Sequence, residues 1–413
     1  MPETFELSLH RNTIKAKPQL PVSKSICNRQ LIIQYVSGQK VRAGELSDAD
    51  DSHLLEEILR TKPRSAFVGA GGTTFRFAMA YFAATDGTEI TLHGTARLHE
   101  RPQAPLIEAL RSLGAEITCL EREGFAPVHI KGKKLKGGSI DVDTGISSQF
   151  ASALLLVAPL MDNPLKINFK GEVTSLPYLQ KTVSMLRLAG VEMELTNHFA
   201  GLQSVQWKNI QLKAEYDWTA ASYWYAFAAL NRHSEVFLES LSSSDLQGDK
   251  VLVQLFESLG VTSTEMPEGI LLKNEGLPVG SFNYDARSNP DLVQSLVVVC
   301  VALSMSFEIT GLKTLVNKET NRILALQTEL AKLNVTLESD GLNYLRCSQP
   351  RPDFSKTLIV NTYEDHRMAM SFAALVGKVY RLAIRNPSVV NKSYPTFWTA
   401  LRLAGVAITV WDD

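Results

Sequence analysis

One short pattern is written five times along the chain: a helix that runs out on leucine, then a Gly or Asn, then an alternating strand. The turning residues are Gly114, Gly190, Gly260, Asn334 and Gly405, at intervals of about 70–76 residues. Gly and Asn recur there for a physical reason, because both tolerate the left-handed backbone that closes a helix. The segment Leu54–Leu59 followed by Ser65–Val68 reads as a degenerate sixth copy whose helix end lacks the glycine. Six copies predict an α/β protein of two domains with three repeated units each. Length agrees, since 413 residues exceed one ordinary core and a prior of ~150 residues per domain gives two or three. The break between halves is expected near Leu212–Asp217, where no Pro- or Gly-rich linker intervenes, so a tight hinge is expected rather than a tether.

Charge excludes some partners. With 42 Lys+Arg against 43 Asp+Glu there is no global field for nucleic acid or an anionic membrane, and any anion site must come from local clusters. Cys27, Cys119, Cys300 and Cys347 are scattered without metal-ligand spacing and read as reduced core thiols. The opening Met1–Glu6 carries neither a basic nor an apolar leader region, and the apolar run Leu292–Met305 is too short to span a bilayer. These features predict a cytoplasmic protein with no membrane or nucleic-acid partner.

The local clusters sit where a strand or extended segment turns into a helix. Ser23-Lys24-Ser25 precedes a helix on which Ser25 and Arg29, four apart, share a face, so a hydroxyl and two cations converge near a helix N-terminus. The plainer reading is a serine cap with solvated cations. Ala70-Gly71-Gly72-Thr73 reads as a glycine turn that lets backbone N–H groups approach an anion. Arg101-Pro102, Ser147-Ser148-Gln149 and Ser175-Leu176-Pro177-Tyr178 each open another helix. In the second half, Asn289-Pro290-Asp291 resembles ordinary helix-start chemistry, with Asn289 as cap. Lys318 and Arg322 are expected on one helix face with Glu319 beside them, a pattern that also describes a solvated surface. Asp365-His366-Arg367 lacks a second histidine at ligand spacing, which argues against a metal. Lys392 precedes a proline-started aromatic helix, and Asp217 is expected to be a plain helix cap.

Pooled, these motifs set Lys24, Arg29, Arg101, Lys318, Arg322, Arg367 and Lys392 around only Asp291 and Glu319. Such an inventory suits two polyanionic small molecules and acid–base chemistry. The ordered motifs S-K-S-x-x-N-R, G-G-T-x-x-R, E-R-P, S-S-Q-F, S-x-P-Y, N-P-D, K-E-T-x-R, D-H-R-M-A-M and K-S-Y-P-x-F span nearly the whole chain. Together they resemble the 5-enolpyruvylshikimate-3-phosphate synthases of the enolpyruvyl transferase family. The resemblance implies an inside-out α/β barrel of βαββαβ-type units. It places one domain at residues 20–215, carrying the phosphate-binding serines, and a discontinuous one at 1–19 and 216–413, carrying the acid–base carboxylates. The active site is expected in the cleft between them, and the family default is a monomer without a cofactor.

The implied reaction transfers the enolpyruvyl group of phosphoenolpyruvate to the 5-hydroxyl of shikimate 3-phosphate through a tetrahedral intermediate. Carried over residue by residue, the resemblance gives shikimate 3-phosphate to Lys24, Ser25, Arg29, Ser147, Ser148, Gln149, Ser175, Tyr178, Asp291 and Lys318. It gives phosphoenolpyruvate to Lys24, Gly72, Arg101, Gln149, Arg322, Arg367 and Lys392. Lys24, Asp291 and Glu319 are the implied proton-transfer groups, with base and acid undivided between them. Three positions depart from the family pattern: Ala70 where an Asn is usual, Phe77 where a Pro often stands, and Asn321 in place of Asp. These put the response to inhibitors such as glyphosate in doubt. The related transferase acting on UDP-N-acetylglucosamine is a rival, but its N-terminal Lys-Asn pair is replaced by Ser-Lys-Ser and its loop cysteine is missing between Thr91 and Pro102. A same-fold RNA-end-processing enzyme is a further rival, disfavoured by the neutral charge.

Overall fold

A computed structural model describes residues 3–9, 14–145, 147–171, 173–276, 278 and 280–411. Met1 and Pro2, part of the opening segment read above for a leader, lie outside them. The chain divides into two compact units, Val22–Ala214 (the inserted unit) and Met1–Pro21 with Glu215–Asp413 (the split unit).

The inserted unit shows its repeat most plainly in two four-stranded sheets. In the first, strands Ser65–Phe67, Glu89–His93, Val128–Lys131 and Glu116–Cys119 lie side by side in that order. In the second, Gly138–Asp143, Leu165–Lys170, Phe199–Val205 and Val191–Leu195 repeat the arrangement. The first two strands of each sheet pair in parallel, which requires a crossover helix, and the last two form an antiparallel hairpin. The elements therefore run βαβαββ, with the hairpin closing the unit, where the resemblance led to the order βαββαβ. The parallel pair is the cause, since it takes up the first helix and leaves the hairpin to follow the second. The α/β class holds.

The split unit repeats the plan with strands borrowed from the N-terminus. Lys15–Ala16 opens one sheet beside Glu235–Glu239, and Thr4–Leu9 closes another between Arg381–Arg385 and Val406–Val410. A middle sheet pairs Phe282–Asp285, Phe307–Thr310 and Tyr344–Cys347, with a single bridge from Glu338 to Arg346 standing for its fourth strand. The turning residues Gly114, Gly190, Gly260, Asn334 and Gly405 all have positive φ, as the repeated pattern requires.

The sixth unit is the reduced one. Its sheet is only Val41–Arg42 in parallel with Ile210–Gln211, beside helices Lys24–Val36 and Asp50–Thr61. The degenerate helix around Leu54–Leu59 is real and ends on left-handed Lys62. However, the strand after it opens the next sheet instead of closing its own hairpin. No hairpin follows because Lys62-Pro63 leads straight into the parallel partner of Glu89–His93.

In each unit the first helix of every repeat packs at the centre. Helices Lys24–Val36, Gly72–Ala83 and Ser148–Val157 touch one another in the inserted unit, and Trp218–Leu230, Val293–Ala302 and His366–Ala373 do so in the split unit. The latter three are buried on all sides, which fits the predominantly apolar sequence of Trp218–Leu230 and Val293–Ala302. They are pinned at equivalent positions by a chain of hydroxyls, Ser222 to Ser295 at 3.1 Å and Ser295 to Ser371 at 3.2 Å. Helices buried on all sides have no solvent face to fix their rotation, and these bonds help to set it. Among the described residues no helix is long and apolar enough to cross a membrane. Cys27, Cys300 and Cys347 are buried, and all four cysteines are free thiols.

Candidate active site

Because the central helices gather in each unit, the side chains at their N-terminal ends gather too. In the inserted unit Lys24 is the first residue of its helix, and Nζ donates to Asp51 Oδ2 at 2.9 Å. Asp51 in turn sits against Gly71, where a Cβ would meet its Oδ1 at 2.7 Å. At neighbouring Gly72 a Cβ would lie 2.8 Å from both terminal nitrogens of Arg101, so glycine is what lets that guanidinium lie against the helix start. Lys24, Gly72 and Arg101 thus stand around two of the three central helix starts.

Gln149 is the second residue of the third. Its backbone N–H donates to the Ser147 hydroxyl at 3.3 Å, and its side-chain oxygen accepts from Arg76 Nη1 at 2.7 Å. Arg76 is only 4% exposed and is anchored by Gln103 Oε1 at 2.9 Å. With its oxygen occupied by a cation, Gln149 has its amide NH₂ left to address a ligand. Ser147 and Ser148 lie at this helix start, Ser148 buried. Ser175 holds φ +58° and makes no cap bond to the helix Leu176–Leu188, so simple capping does not describe it.

Arg29 ties this region to the first helix. It donates through Nε to Thr182 Oγ1 (2.7 Å), through Nη1 to Ser25 O (2.8 Å) and Ser25 Oγ (3.1 Å), and through Nη2 to the Tyr178 carbonyl (3.4 Å). The pairing of Ser25 and Arg29 on one helix face is therefore as the sequence predicts. Burial lowers the Arg29 pKa to about 10, which at neutral pH leaves it charged. Lys181, absent from the sequence-based inventory, also donates to Ser25 Oγ at 3.1 Å.

The split unit sets its cations among carboxylates. Asp291 accepts from Arg322 Nη1 (2.8 Å), Arg367 Nη2 (2.9 Å) and Lys318 Nζ (3.3 Å). Glu319 accepts from Lys392 (2.8 Å) and Arg322 Nη2 (3.0 Å). Asp365 caps its helix by accepting from the Arg367 N–H at 2.9 Å while taking Arg322 Nε at 2.7 Å. Arg367 also donates to the Tyr223 hydroxyl at 3.3 Å, a phenol that burial pushes up to about 12. Burial alone would raise the Asp291 pKa, but Arg367, Lys318 and Arg322 override it and hold the carboxyl well below the usual range. Burial opposes the charge of Arg322 as well, yet Asp365, Glu319 and Asp291 hold its pKa above the ordinary arginine value. Lys318 is lowered, mainly by burial and in spite of Asp291.

Four expectations change here. Lys318 and Glu319 precede the helix Arg322–Ala331 and do not share its face; an extended Lys318 brings them to Asp291 and Arg322 instead. Arg322 is buried and Lys318, Glu319 and Asp291 are partly buried around it, so the group is not a solvated surface. Asn289 makes no cap bond and is held by Asp249 (2.8 Å) and Tyr284 (3.0 Å). The count of two carboxylates is short, because Asp51 and Asp365 join them. The aspartate at the head of D-H-R is visible in sequence, but only its N-cap geometry reveals the tie to Arg322. Asp217 is a cap as expected, accepting from Ala220 N–H at 3.0 Å. Among the described residues no three His, Cys, Asp or Glu side chains are arranged to hold a metal.

Repeated α/β units that collect buried cations and carboxylates at central helix starts define an enzyme for anionic small molecules. Comparison with known proteins makes the class particular. The sequence pattern of the family "EPSP synthase (3-phosphoshikimate 1-carboxyvinyltransferase)" matches residues 61–401, and the chain belongs to that family. The 3-phosphoshikimate 1-carboxyvinyltransferase of Bacteroides fragilis (strain YCH46) is 39% identical over 401 residues, covering 97% of this chain and 98% of that one. The Cellvibrio japonicus (strain Ueda107) enzyme of the same name is 31% identical, covering 92% and 94%. In fold, the chain resembles EPSP synthase from Acinetobacter baumannii, with a TM-score of 0.76 over 99% of this chain and 100% of that one at 19% identity.

Proposed function

We propose that this chain transfers the enolpyruvyl group of phosphoenolpyruvate to the 5-hydroxyl of shikimate 3-phosphate and releases inorganic phosphate. That makes it a transferase of the shikimate pathway, on the way to chorismate and the aromatic amino acids. The observation that carries the chemical reading is the placement of Asp291 and Glu319, each in contact with cations from the set Lys318, Arg322, Arg367 and Lys392 assigned to the substrates.

Addition requires the acceptor hydroxyl to lose its proton as its oxygen bonds to the central carbon of phosphoenolpyruvate, while the methylene carbon gains one. Elimination then expels phosphate from the tetrahedral intermediate and removes a proton from the new methyl group. Protonating carbon is the hard step and calls for a well-placed acid. We assign Glu319 and Lys24 to the carbon and Asp291 to the hydroxyl. The depressed Asp291 pKa keeps it ionised at neutral pH, as a base must be. Its weak basicity has a remedy in the same cluster: anions that draw Arg322, Arg367 and Lys318 towards themselves weaken the field on Asp291 and raise its proton affinity.

The binding roles follow the two sets of residues. Ser147, Ser148 and Ser175 would hold the acceptor's phosphate, with Ser25, Arg29, Gln149, Tyr178, Lys318 and Lys24 on its remaining groups. Phosphoenolpyruvate would take Lys24, Gly72, Arg101 and Gln149 with Arg322, Arg367 and Lys392. The test is direct: purified protein given phosphoenolpyruvate and shikimate 3-phosphate should release phosphate without added metal or nucleotide. Release only with UDP-N-acetylglucosamine as acceptor, or none at all, rejects the assignment.

A further inference from the structure

Lys181 lies one turn after Tyr178 in helix Leu176–Leu188 and is only 4% exposed. Burying a lysine is costly, and such a residue is retained where its charge has a task. Its ammonium donates to Ser25 Oγ at 3.1 Å and stands 4.6 Å from the centre of the Tyr178 ring. The same Ser25 oxygen accepts from Arg29 Nη1, also at 3.1 Å.

A hydroxyl offers one proton and two lone pairs. When two cations take both lone pairs of Ser25, its proton is turned away from them and becomes a fixed donor. Arg29 is in the opposite position. Its bonds to Thr182, to Ser25 O and Oγ and to the Tyr178 carbonyl engage four of the five N–H groups an arginine carries. Arg29 therefore brings charge and at most one further N–H to an anion, while its rigid fork mainly fixes the first helix against Leu176–Leu188. A lysine ammonium rotates its protons freely and can follow a ligand.

We propose that Lys181 is a substrate-binding residue that grips a carboxylate together with the Ser25 hydroxyl and the remaining Arg29 donor. It adds direct charge contacts that the engaged guanidinium, with one N–H remaining, can supply only in part. This rests on the reading of shikimate 3-phosphate as acceptor, with Ser25 and Arg29 facing its carboxylate. Lys181 then sets the preference for an acid over its neutral analogues.

The experiment compares the dissociation constants of shikimate 3-phosphate and its carboxamide analogue for the wild type, Lys181→Met and Lys181→Arg. Hydrogen bonds to charged groups are worth enough that Lys181→Met should weaken the acid by about 10- to 100-fold. The carboxamide should weaken far less, and Lys181→Arg should restore most of the preference. In turnover, KM for shikimate 3-phosphate should rise while KM for phosphoenolpyruvate stays put. Equal weakening of acid and amide would mean lost packing and would overturn the proposal, as would unchanged binding of the acid. Should the methionine variant not fold, Lys181→Gln takes its place, and the same loss of acid preference is expected of it. If the wild type neither binds shikimate 3-phosphate nor releases phosphate, the failure belongs to the functional reading.

Discussion

The central helices of the inserted unit begin at Ser23-Lys24, Gly71-Gly72 and Ser147-Ser148, whereas those of the split unit begin at Asp217-Trp218, Pro290-Asp291 and Asp365-His366. The same repeated fold has been given opposite chemistry at equivalent places. In the inserted unit no acidic residue occupies the first turn of these helices, and Arg29, Arg76 and Lys181 are seated on hydroxyls, carbonyls, amides and rings. In the split unit each helix start brings an aspartate, and Arg322 and Arg367 are seated on carboxylates. Cations held by neutral groups keep their field for an incoming anion, while cations held by carboxylates set proton affinities. Lys24, seated on the Asp51 carboxylate, is the exception in the inserted unit; for the other groups the contrast separates holding from reacting.

The largest effect should come from the reacting side. Glu319→Gln keeps an acceptor for Lys392 and Arg322 but removes the transferable proton and the charge. We expect kcat to fall by about 10²–10⁴-fold. KM for both substrates should move only a few-fold, read from steady-state phosphate release on protein with native circular dichroism. A Glu319→Gln enzyme near the wild-type rate would break the division between the two units.

A second, smaller effect tests how the cations are seated. Asp365→Asn removes a carboxylate from Arg322, which is 1% exposed, and losing one member of a buried pair costs about 3–5 kcal/mol. Thr182→Val removes a neutral acceptor from Arg29, worth about 1.5–3 kcal/mol. Hydrogen exchange at the amides of helices His366–Ala373 and Lys24–Val36 would read each loss locally. Acid should separate the clusters in the same way. The Asp291 pKa is held below its unfolded value, so its stabilisation is present at neutral pH and is lost as pH falls below the unfolded value of about 4. Protection around the Arg322 cluster should then drop before protection around Arg29, because Ser25, Arg29, Thr182, Tyr178 and Lys181 include no group that titrates in acid. Equal losses in both helices would mean that the two clusters are held alike.

The periodic part of this arrangement is legible in the sequence. The Gly and Asn turns mark the second helix of five repeats because left-handed closure leaves a residue-type signature. The helices Trp218–Leu230 and Val293–Ala302 leave no comparable mark, since a helix buried on all sides has no amphipathic phase to read. The sixth repeat is legible only as a helix, its sheet having shrunk to Val41–Arg42 and Ile210–Gln211. At the site, Ser25 with Arg29 is readable from a spacing of four residues. Lys24 with Asp51, Arg76 with Gln149 and Lys181 with Ser25 are not, because each pair joins separate elements and no local spacing encodes it. Lys318 and Arg322 show the converse error: helical spacing predicts one shared face where the backbone at Lys318 is extended, yet both side chains still meet at Asp291.

The smallest expected effect lies on the holding side. Gly72 is the first residue of its helix, and alanine there gains helix propensity of up to about 1 kcal/mol. The added Cβ, however, would stand 2.8 Å from Arg101 Nη1 and Nη2. That obstacle is the far end of a flexible side chain, so Arg101 moves and the fold stays intact. Gly72→Ala should accordingly be as stable as the wild type or slightly more so, while KM for phosphoenolpyruvate rises about 10-fold as a charged hydrogen bond is lost. KM for shikimate 3-phosphate and kcat should change little. An unchanged KM for phosphoenolpyruvate would show that Arg101 against this helix start is packing alone, and would narrow the holding function to Lys24, Gln149 and the serines.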